Sequence, residues 1–418
     1  MTNIIEPKTL PGFRDFLPEQ MAIRKRVIGI LEAVFEKYGF QPLETPALEY
    51  QDILLGKYGE EAERLIYLFS DRGERDVGLK YDLTVPLARV IAQYPNLPRP
   101  FKRYQIQTVW RAEKPQKGRY REFTQCDVDI VGSSSPLADA EIIAIMYDSL
   151  KALGFKKFRI RINSRQVLFK ILEEAGAPKD RYLTILQSVD KLDKKTPDEV
   201  RVELAEKLIP NSVVEMVFTL LKSAKPNENL GEILGLLGKL GVDEKYYVFD
   251  PVLSRGLDYY TGAVFETVVE EPKIGSIIGG GRYDKLIGSF TGVDISTVGT
   301  SFGLDRIVDV ICELNLWPKV TSSATKVLVT IFSPDLLDKS LDVVKRLRSI
   351  GISAEIYLDT KAKLDKQLKY ADEKKIPFAI ILGPDEVKKN LVTVKDLRSQ
   401  TQVTKKLADV IKLINADK

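Results

Sequence analysis

The chain has 418 residues, of which 44% are hydrophobic and 29% are charged, and its formal net charge is +4. This length and composition predict two to three folded units with substantial cores and exclude a disordered protein. The chain contains no histidine. Ser-His-Asp and Cys-His catalytic sites, HExxH zinc sites and imidazole general bases are therefore excluded.

Charge distribution and cysteine content limit the partners and the location. From Thr325 onward, 19 Lys and Arg residues face 13 Asp and Glu residues, so a basic end follows a nearly balanced body. A polyanionic partner and a solvated lysine-rich surface both explain such an end. Cys126 and Cys312 give neither a disulfide framework nor a metal-binding spacing. With no signal-peptide core and no membrane-spanning run, the sequence predicts a cytoplasmic protein without a membrane partner.

The N-terminal part of the chain mixes helix and strand patterns. Apolar residues recur at helical spacing from Ile23 to Tyr38, and Gly39 marks the end of this helix. Further helices are predicted at 84–94 and 135–154, and strands at 64–69, 77–82, 101–111 and 120–131. These patterns predict an α+β unit built on an antiparallel sheet.

The pattern changes twice after this unit. Residues 163–245 are almost wholly helical and densely charged, which predicts an insertion between two halves of the sheet, since strand patterns resume at Tyr246. A third unit begins near Thr325. Its strand patterns alternate with helices, which predicts a mainly parallel sheet with strands at 327–331, 354–357, 378–382 and 391–394.

Two predicted strands carry an unusual polar face. Because strand side chains alternate, Cys126, Val128 and Ile130 share one face of the second strand. Its other face and the matching face of the first strand hold Arg103, Gln105, Gln107, Arg111, Arg119, Arg121, Phe123, Gln125, Asp127 and Asp129. Such a face is usually the solvated side of an antiparallel sheet. Here arginines lie at one end, an aromatic in the middle and carboxylates at the other. The span from Phe123 to Asp129 alone is about 20 Å, so the face suits a phosphate, a base and an ammonium in turn.

Other segments add polar groups, and each also has an ordinary structural explanation. Asp82 and Thr84 stand at a strand-to-helix junction, where a helix cap is the alternative. The glycine run 279–281 lets the backbone approach a ligand closely or serves packing alone. Arg306 opens an apolar helix, where a surface ion pair is the alternative. Arg255 is followed by two adjacent tyrosines, a combination that favours a binding site over a routine turn.

Several segments resemble the signature motifs of class II aminoacyl-tRNA synthetases. Residues 11–38 resemble motif 1, residues 101–127 resemble motif 2, and residues 303–306 resemble motif 3. Residues 255–262 and 280–284 resemble signatures of histidyl-tRNA synthetases. The resemblance covers nearly the whole chain. It implies a class II catalytic domain at 1–324, with an antiparallel sheet and a helical insertion at about 163–245, followed by a C-terminal α/β anticodon-binding domain at 325–418.

The resemblance also implies a reaction and its partners. A histidyl-tRNA synthetase activates L-histidine with ATP, with Mg²⁺ on the phosphates, and transfers it to histidine tRNA. The motif 1 helix would form a homodimer. As catalytic residues, Arg111 and Arg255 would hold the α-phosphate. Arg119 and Arg306 would bind the outer phosphates, and Glu113 and Phe123 the adenine. The implied histidine-binding residues are Asp82, Thr84, Gln125, Asp129, Tyr259, Tyr260 and Tyr283.

Some alternatives stay open at this stage. Asp82 and Asp129 stand where many bacterial relatives use glutamate, so contact with the substrate directly and contact through a water are both open. The regulatory subunit of ATP phosphoribosyltransferase shares the fold but typically lacks the anticodon domain. Class II synthetases for other amino acids share the motifs but not the tyrosine-bearing segments. An RNA-binding module would explain the basic end but not the polar strand faces.

Overall fold

The structure is a computed structural model that describes residues 4–56, 65–116, 118–255, 259–272, 274–317 and 325–416. The chain divides into two compact units, one from residues 1–15 and 24–317 and the other from 16–23 and 318–418. Gly256 to Asp258, within the predicted 255–262 signature, and Arg64, within a predicted strand, lie outside the described residues.

The larger unit is built on two sheets. Its strands are β1 (Gln41–Pro42), β2 (Leu48–Tyr50), β3 (Leu68–Ser70), β4 (Asp76–Leu79), β5 (Phe101–Trp110), β6 (Glu122–Val131), β7 (Phe158–Ser164), β8 (Tyr247–Phe249), β9 (Ala263–Val269), β10 (Ser276–Arg282) and β11 (Thr297–Gly303). Among the described residues, one sheet has the order β1-β5-β6-β11-β10-β9-β7-β8 and the other β2-β4-β3. The run from β5 to β7 in the first order is antiparallel throughout, as predicted.

Helices cover the large sheet and form the insertion. They are α1 (Pro18–Lys37), α2 (Gln51–Leu55), α3 (Thr84–Gln93), α4 (Pro136–Leu153), α5 (Arg165–Glu174), α6 (Tyr182–Val189), α7 (Pro197–Glu206), α8 (Asn211–Ser223), α9 (Glu228–Lys239), α10 (Gly288–Thr291) and α11 (Leu304–Glu313). The helix α4 shows why the sequence signals worked. The Ser135 hydroxyl accepts a hydrogen bond from the Leu137 amide, and Gly154 ends the helix at φ +92°.

The insertion has a core of its own. Helices α5 to α8 bury apolar side chains such as Leu168, Leu186 and Val217 against one another. A reciprocal hydrogen-bonded cap between Thr196 and Glu199 begins α7. These helices leave the sheet after β7 and the chain returns to it at β8. The strand β7 was not predicted, although Phe158, Ile160 and Ile162 alternate with polar residues.

The smaller unit is a mixed sheet with helices. Its elements are β12 (Val327–Val329), α12 (Leu337–Ser349), β13 (Ala354–Ile356), α13 (Leu364–Glu373), β14 (Phe378–Ile381), α14 (Pro384–Lys389), β15 (Val392–Asp396), β16 (Thr401–Lys405) and α15 (Leu407–Ala416). The order is β13-β12-β14-β15-β16. Strands β12 to β14 are parallel, but β15 and β16 pair antiparallel. The predicted parallel pairing is thus confirmed for β12, β13 and β14 and is wrong for β15, which runs antiparallel to β14. Strand β16 was not predicted, and the short link after β15 allows only a hairpin with it.

None of the helices in the described ranges is long and apolar enough to cross a membrane.

Candidate active site

The polar faces of β5 and β6 lie in register. Arg103 is paired with Asp129, Gln105 with Asp127, and Gln107 with Gln125. We call these six residues the polar wall. Next to it, Gly299 and Ser301 of β11 lie opposite Asp129 and Asp127. The division of these strands into two faces is thus confirmed, and the small residues Gly299 and Ser301 of β11 leave room beside them for the Asp129 and Asp127 side chains.

Five of the six residues of the polar wall are buried and Gln107 is half-buried, which excludes the interpretation of this face as the solvated side of a sheet. Arg103 is 0% exposed, and Asp127 and Asp129 are each 3% exposed. The guanidinium of Arg103 lies 2.8 Å from Asp129 Oδ2 and also donates to Gln105 and to the Leu83 carbonyl. Charges are retained in such a place only when they are paired and hydrogen-bonded.

Asp129 is the centre of what we call the carboxylate end, formed by Asp82, Asp127 and Asp129. The Tyr283 hydroxyl donates to Asp129 Oδ1. A Cβ atom at Gly299 would lie 1.8 Å from that oxygen, so only glycine fits beneath it. Burial raises the pKa of the Asp129 carboxyl, and Arg103 opposes the shift.

Two buried acceptors of the polar wall have neither a hydrogen-bond nor an ion-pair partner among the described residues. Asp127 Oδ1 and Gln125 Oε1 accept no hydrogen bond from any group in the described ranges. The Gln125 amide donates to Ser301 Oγ at 2.7 Å, which fixes its oxygen on the other side. Burial raises the pKa of Asp127, and neighbouring Asp129 adds to the rise. Unpaired buried acceptors indicate a ligand that brings donors, such as an ammonium or an imidazole N–H. Asp127 was not among the predicted site residues.

The Asp82 junction lies beside the wall. Asp82 Oδ1 accepts from the Val85 amide at 3.1 Å, so the helix-cap interpretation holds for this oxygen. Burial raises the pKa of Asp82 to about 6, and hydrogen bonding and Arg111 limit the shift. Thr84 is half-buried as the first residue of α3. The hydrogen bond from Arg103 to the Leu83 carbonyl links this junction to the polar wall.

The three predicted tyrosines cluster. The rings of Tyr259 and Tyr260 lie 4.8 Å apart, and those of Tyr259 and Tyr283 lie 5.7 Å apart. A Cβ atom at Gly281 would lie 2.7 Å from the Tyr260 ring. The packing interpretation of the glycine run is therefore supported here, because the close approach is to a side chain of the chain itself.

Arginines gather beyond the other end of the wall, and we call Arg111, Arg119, Arg255 and Arg306 the arginine end. Arg306 Nε donates to the Gly118 carbonyl at 3.0 Å and its NH1 to the Ser276 carbonyl at 2.5 Å. Burial, then Arg119 and Arg111, lower the pKa of Arg306. Arg306 is half-buried and bonded to carbonyls, which excludes the surface ion pair. Positive charges held this close favour a polyanionic ligand.

The remaining predicted residues of this end are spread over the motif 2 hairpin. Arg111 Nε donates to the Tyr81 carbonyl at 3.0 Å, and its guanidinium lies 5.1 Å from the centre of the Phe123 ring. Arg119 is exposed and lies 3.4 Å from Glu113 Oε2. The structure thus brings Arg111 and Phe123 into contact and pairs Arg119 with Glu113.

Arg255 reaches the same surface from the segment after the insertion. Its NH1 lies 3.2 Å from Glu266 Oε1. A Cβ atom at Gly279 would lie 1.9 Å from this NH1, so the guanidinium rests directly on the backbone of β10. Gly279 is paired with Ser301 of β11, which in turn faces Asp127. The glycine is needed because a side chain there would displace the arginine.

The helix that carries Arg306 is fixed by a buried carboxylate that sequence reasoning missed. Asp305 Oδ1 accepts from Arg14 at 2.5 Å and from Arg24 at 2.7 Å. Its Oδ2 accepts from the Thr124 amide at 3.0 Å. Asp305 therefore joins the N-terminal segment, β6 and α11. The sequence places it beside Arg306, but the partners are distant in sequence and gave no signal.

Comparison with known proteins identifies the family. The family model described as histidyl-tRNA synthetase matches residues 12–307. The chain belongs to the histidyl-tRNA synthetase family. A second model, described as an anticodon binding domain, matches residues 326–417. The recognition made from the sequence motifs is confirmed.

Relatives of the histidyl-tRNA synthetase family match over nearly their whole length. The histidine-tRNA ligase of Gloeobacter violaceus is 42% identical, with 97% of this chain and 98% of the relative covered. That of Aeropyrum pernix is 42% identical, with 98% of each covered. The crystal structure of histidyl-tRNA synthetase from Nostoc sp. PCC 7120 superimposes with a TM-score of 0.88 at 30% identity, covering 99% of this chain and 100% of that one. These matches confirm the predicted fold class.

Proposed function

We propose that the chain is a histidine-tRNA ligase, which activates L-histidine with ATP and transfers it to the 3′ end of histidine tRNA. The observation that carries the proposal is the single polar surface that joins the arginine end to the buried, unpaired acceptors of the carboxylate end. Arginines at one end and unpaired acceptors at the other match two substrates that react with each other, a nucleotide with phosphates and an amino acid with several N–H donors.

The reaction needs no nucleophile from the protein. An oxygen of the histidine carboxylate attacks the α-phosphorus of ATP, and the bond to pyrophosphate breaks. The terminal hydroxyl of the tRNA then attacks the carbonyl carbon of the adenylate, and AMP leaves. Both steps depend on positioning and on stabilisation of negative charge, for which the arginine fork is suited. A chain without histidine can carry out both.

The arginine end would hold the nucleotide. Arg111 and Arg255 would bind the α-phosphate and stabilise the charge that develops there as the catalytic residues. Arg119 and Arg306 would bind the outer phosphates. ATP would separate the pair of Arg119 and Glu113, which leaves Glu113 to accept from the adenine amino group. Phe123 would stack on the base.

The carboxylate end would hold histidine. Asp82, Thr84 and Gln125 would surround the α-ammonium, since carboxylate, hydroxyl and amide oxygens all accept from it. Asp129 would orient the imidazole with Tyr260 and Tyr283, and Tyr259 would pack behind these two rings. We add Asp127 to this set, because its unpaired Oδ1 lies on the same face.

Mg²⁺ would arrive with ATP. Within the described part of the chain, no group of three or more His, Cys, Asp or Glu residues is placed to hold a metal ion. Mg²⁺ binds through few carboxylates and several phosphate oxygens in nucleotide enzymes. The residues that would lie near the phosphates fit that mode, since Glu266 and Glu113 each pair with an arginine of the arginine end. Bound Mg²⁺ would neutralise charge on the phosphates.

The two units divide the work. We propose that residues 1–324 form the catalytic domain, with the helical insertion at about 163–245, and that 325–418 bind the anticodon of histidine tRNA. The basic excess of the second segment suits RNA. The match to an anticodon-binding model also argues against the regulatory subunit of ATP phosphoribosyltransferase, which typically lacks this domain. We place the enzyme in the cytoplasm.

We further propose that the enzyme acts as a homodimer. Leu48, Tyr50 and Phe69 project from one face of the small sheet and are exposed. Contiguous apolar groups on such a face favour a protein partner. Light scattering should give twice the monomer mass, and Tyr50→Lys with Phe69→Lys should reduce it to the monomer value. A monomeric unsubstituted enzyme would contradict this part.

ATP-pyrophosphate exchange tests the function. We expect exchange that depends on L-histidine and on no other amino acid, followed by charging of histidine tRNA alone. Exchange with threonine, proline or glycine instead would show a different specificity. A chain that supports no exchange with any amino acid is not a synthetase, and the proposal would then be wrong.

A further inference from the structure

The backbone of Arg255 is held by the helical insertion. Asp190, in the 3₁₀ turn Asp190–Asp193 that follows α6, accepts from the Arg255 amide at 3.0 Å. The Ser254 hydroxyl lies 3.1 Å from the same Oδ1 and 3.0 Å from the Leu186 carbonyl of α6, so its one proton is shared between these two acceptors. Arg255 is thus fixed at its amide by a residue outside the large sheet.

The conformation of Arg255 explains why such an anchor is needed. Its φ is +55°, in the left-handed region that residues with a Cβ atom rarely adopt. Arg165 holds the other side of the residue by donating to the Arg255 carbonyl at 2.8 Å. A strained backbone persists at functional sites only where the surroundings fix it. Two opposed hydrogen bonds do so here.

The guanidinium of Arg255 is connected to the same turn by a chain of ion pairs. Glu266 Oε1 pairs with Arg255 at 3.2 Å. The Oε2 atom of Glu266 lies 3.3 Å from Arg161, which is directly opposite Glu266 on β7. Arg161 in turn binds both oxygens of Asp193, at 2.6 and 2.7 Å, and Asp250 at 2.6 Å. Asp193 is therefore linked to the Arg255 guanidinium through Arg161 and Glu266.

We propose that Asp190 and Asp193 are positioning residues for Arg255, so that the turn Asp190–Asp193 of the insertion sets the rate of adenylate formation. Asp190 fixes where the arginine backbone lies, and Asp193 fixes which way its guanidinium points. This inference rests on the role proposed for Arg255. A displacement of the insertion would be transmitted to the phosphate chemistry through these two carboxylates.

The test compares single-turnover adenylate formation from L-histidine and ATP in four variants. Asp190→Ala should lower the rate constant roughly 100-fold, because a shift of about 1 Å at a catalytic group has that effect. Asp190→Asn should stay near wild type, since its Oδ1 can still accept both hydrogen bonds. Asp193→Ala should lose roughly 10-fold. Asp198→Ala removes a carboxylate of the same insertion that is 92% exposed and paired only with Arg201 among the described residues, and it should have no effect.

A double-mutant cycle separates positioning from simple stabilisation of the fold. In an Arg255→Ala background, Asp190→Ala should change the rate by less than about twofold, because its target is already gone. The KM for histidine and the melting temperature should change little in each single variant. If Asp190→Ala is too unstable to purify, Asp193→Ala is put through the same cycle.

The outcomes distinguish the two proposals. If Asp190→Ala lowers the rate as much in the Arg255→Ala background as in the wild type, the positioning role alone is overturned. Wild-type rates in both Asp190→Ala and Asp193→Ala, measured in an active enzyme, would overturn it as well. Absence of histidine-dependent adenylate formation in the unsubstituted enzyme would instead contradict the proposed function.

Discussion

The arginine end and the carboxylate end of the polar surface meet opposite electrostatic demands. At the carboxylate end, Arg103 is enclosed with Asp127 and Asp129 and already has its counter-charge. At the arginine end, Arg306 bonds to backbone carbonyls, and burial, Arg119 and Arg111 lower its pKa while Glu266 opposes them. The carboxylate end therefore holds its one arginine among three carboxylates, while the arginine end keeps an excess of positive charge.

This difference fits the roles proposed for the two ends. An amino acid is small and must be recognised by groups that are already in place, which requires burial and fixed partners. Three phosphates bring several negative charges, which suits an end where four arginines face only the paired carboxylates Glu113 and Glu266 among the described ion pairs. We expect substitutions at the arginine end to slow adenylate formation and substitutions at the carboxylate end to weaken histidine binding.

The largest effect should come from Arg111. Arg111→Ala removes a donor at the reacting phosphate, which we expect to lower the exchange rate about 1,000-fold. Arg111→Lys should recover part of it, since lysine restores the charge without the two-pronged geometry. Exchange is measured at saturating ATP and histidine. Arg201→Ala, which removes a guanidinium from the insertion surface, is the control. Unchanged exchange in Arg111→Ala would refute the assignment.

Two glycines allow each end to be displaced separately. Gly279→Ala would place a Cβ atom 1.9 Å from Arg255 NH1, and Gly299→Ala one 1.8 Å from Asp129 Oδ1. We expect the first to lower kcat roughly 100-fold and the second to raise the KM for histidine about 10-fold through a weakened charged hydrogen bond. Steady-state kinetics of both variants shows whether the first changes kcat and the second changes the KM for histidine.

Gly231→Ala is the matched control for this pair, because a Cβ atom there meets nothing within 4 Å. It should leave both constants unchanged. If Gly279→Ala and Gly299→Ala alter the same constant, the two ends do not act separately and the comparison fails.

The polar faces of β5 and β6 could be predicted from the sequence, whereas the segments that pack around them could not. Strand alternation alone placed Arg103 and Asp129 on one face, because the side-chain period of a strand is two and the hairpin fixes the register. The caps of α4 were equally local signals. In each case the deciding contacts lie between residues that are close in sequence or in one hairpin.

What sequence reasoning missed depends on contacts between distant segments. Burial of the polar wall could not be derived from alternation, which is the same for a solvated and a covered face. The partners of Asp305 and the link from Asp190 to Arg255 join segments far apart in sequence. The strand β7 was overlooked because its short alternation follows a helix and precedes the helical insertion.

Histidine binding should depend on pH through Asp82. Burial raises the pKa of this carboxyl to about 6, so below that pH it is protonated and loses its attraction for the α-ammonium. We therefore expect kcat/KM for histidine to fall as the pH drops through about 6. In Asp82→Asn, kcat/KM for histidine should be low at every pH, and the part of its fall near pH 6 that is due to Asp82 should disappear. The part due to titration of the substrate imidazole remains.

The same shift has a consequence for stability. A carboxyl whose folded-state pKa is above its unfolded value stabilises the fold when protonated, and this contribution is lost as the pH rises from about 4 to about 6. Without histidine, Asp82→Asn should thus melt higher than wild type at pH 8 and show no gain at pH 4. A lower melting temperature at pH 8 would mean that the charged form is stabilised.

The smallest effect should come from Phe123, which lies between the two ends. Phe123→Leu keeps an apolar side chain but loses the ring that would stack on adenine, worth about 1 kcal/mol, so the KM for ATP should rise about fivefold. Its ring also contacts the guanidinium of Arg111. Loss of that contact alone would lower kcat without changing the KM for ATP, whereas loss of stacking does the reverse. Phe169→Leu, at an exposed aromatic of the insertion, is the control. A fall in kcat at constant KM would assign Phe123 to the support of Arg111 and leave adenine without a stacking partner on this strand.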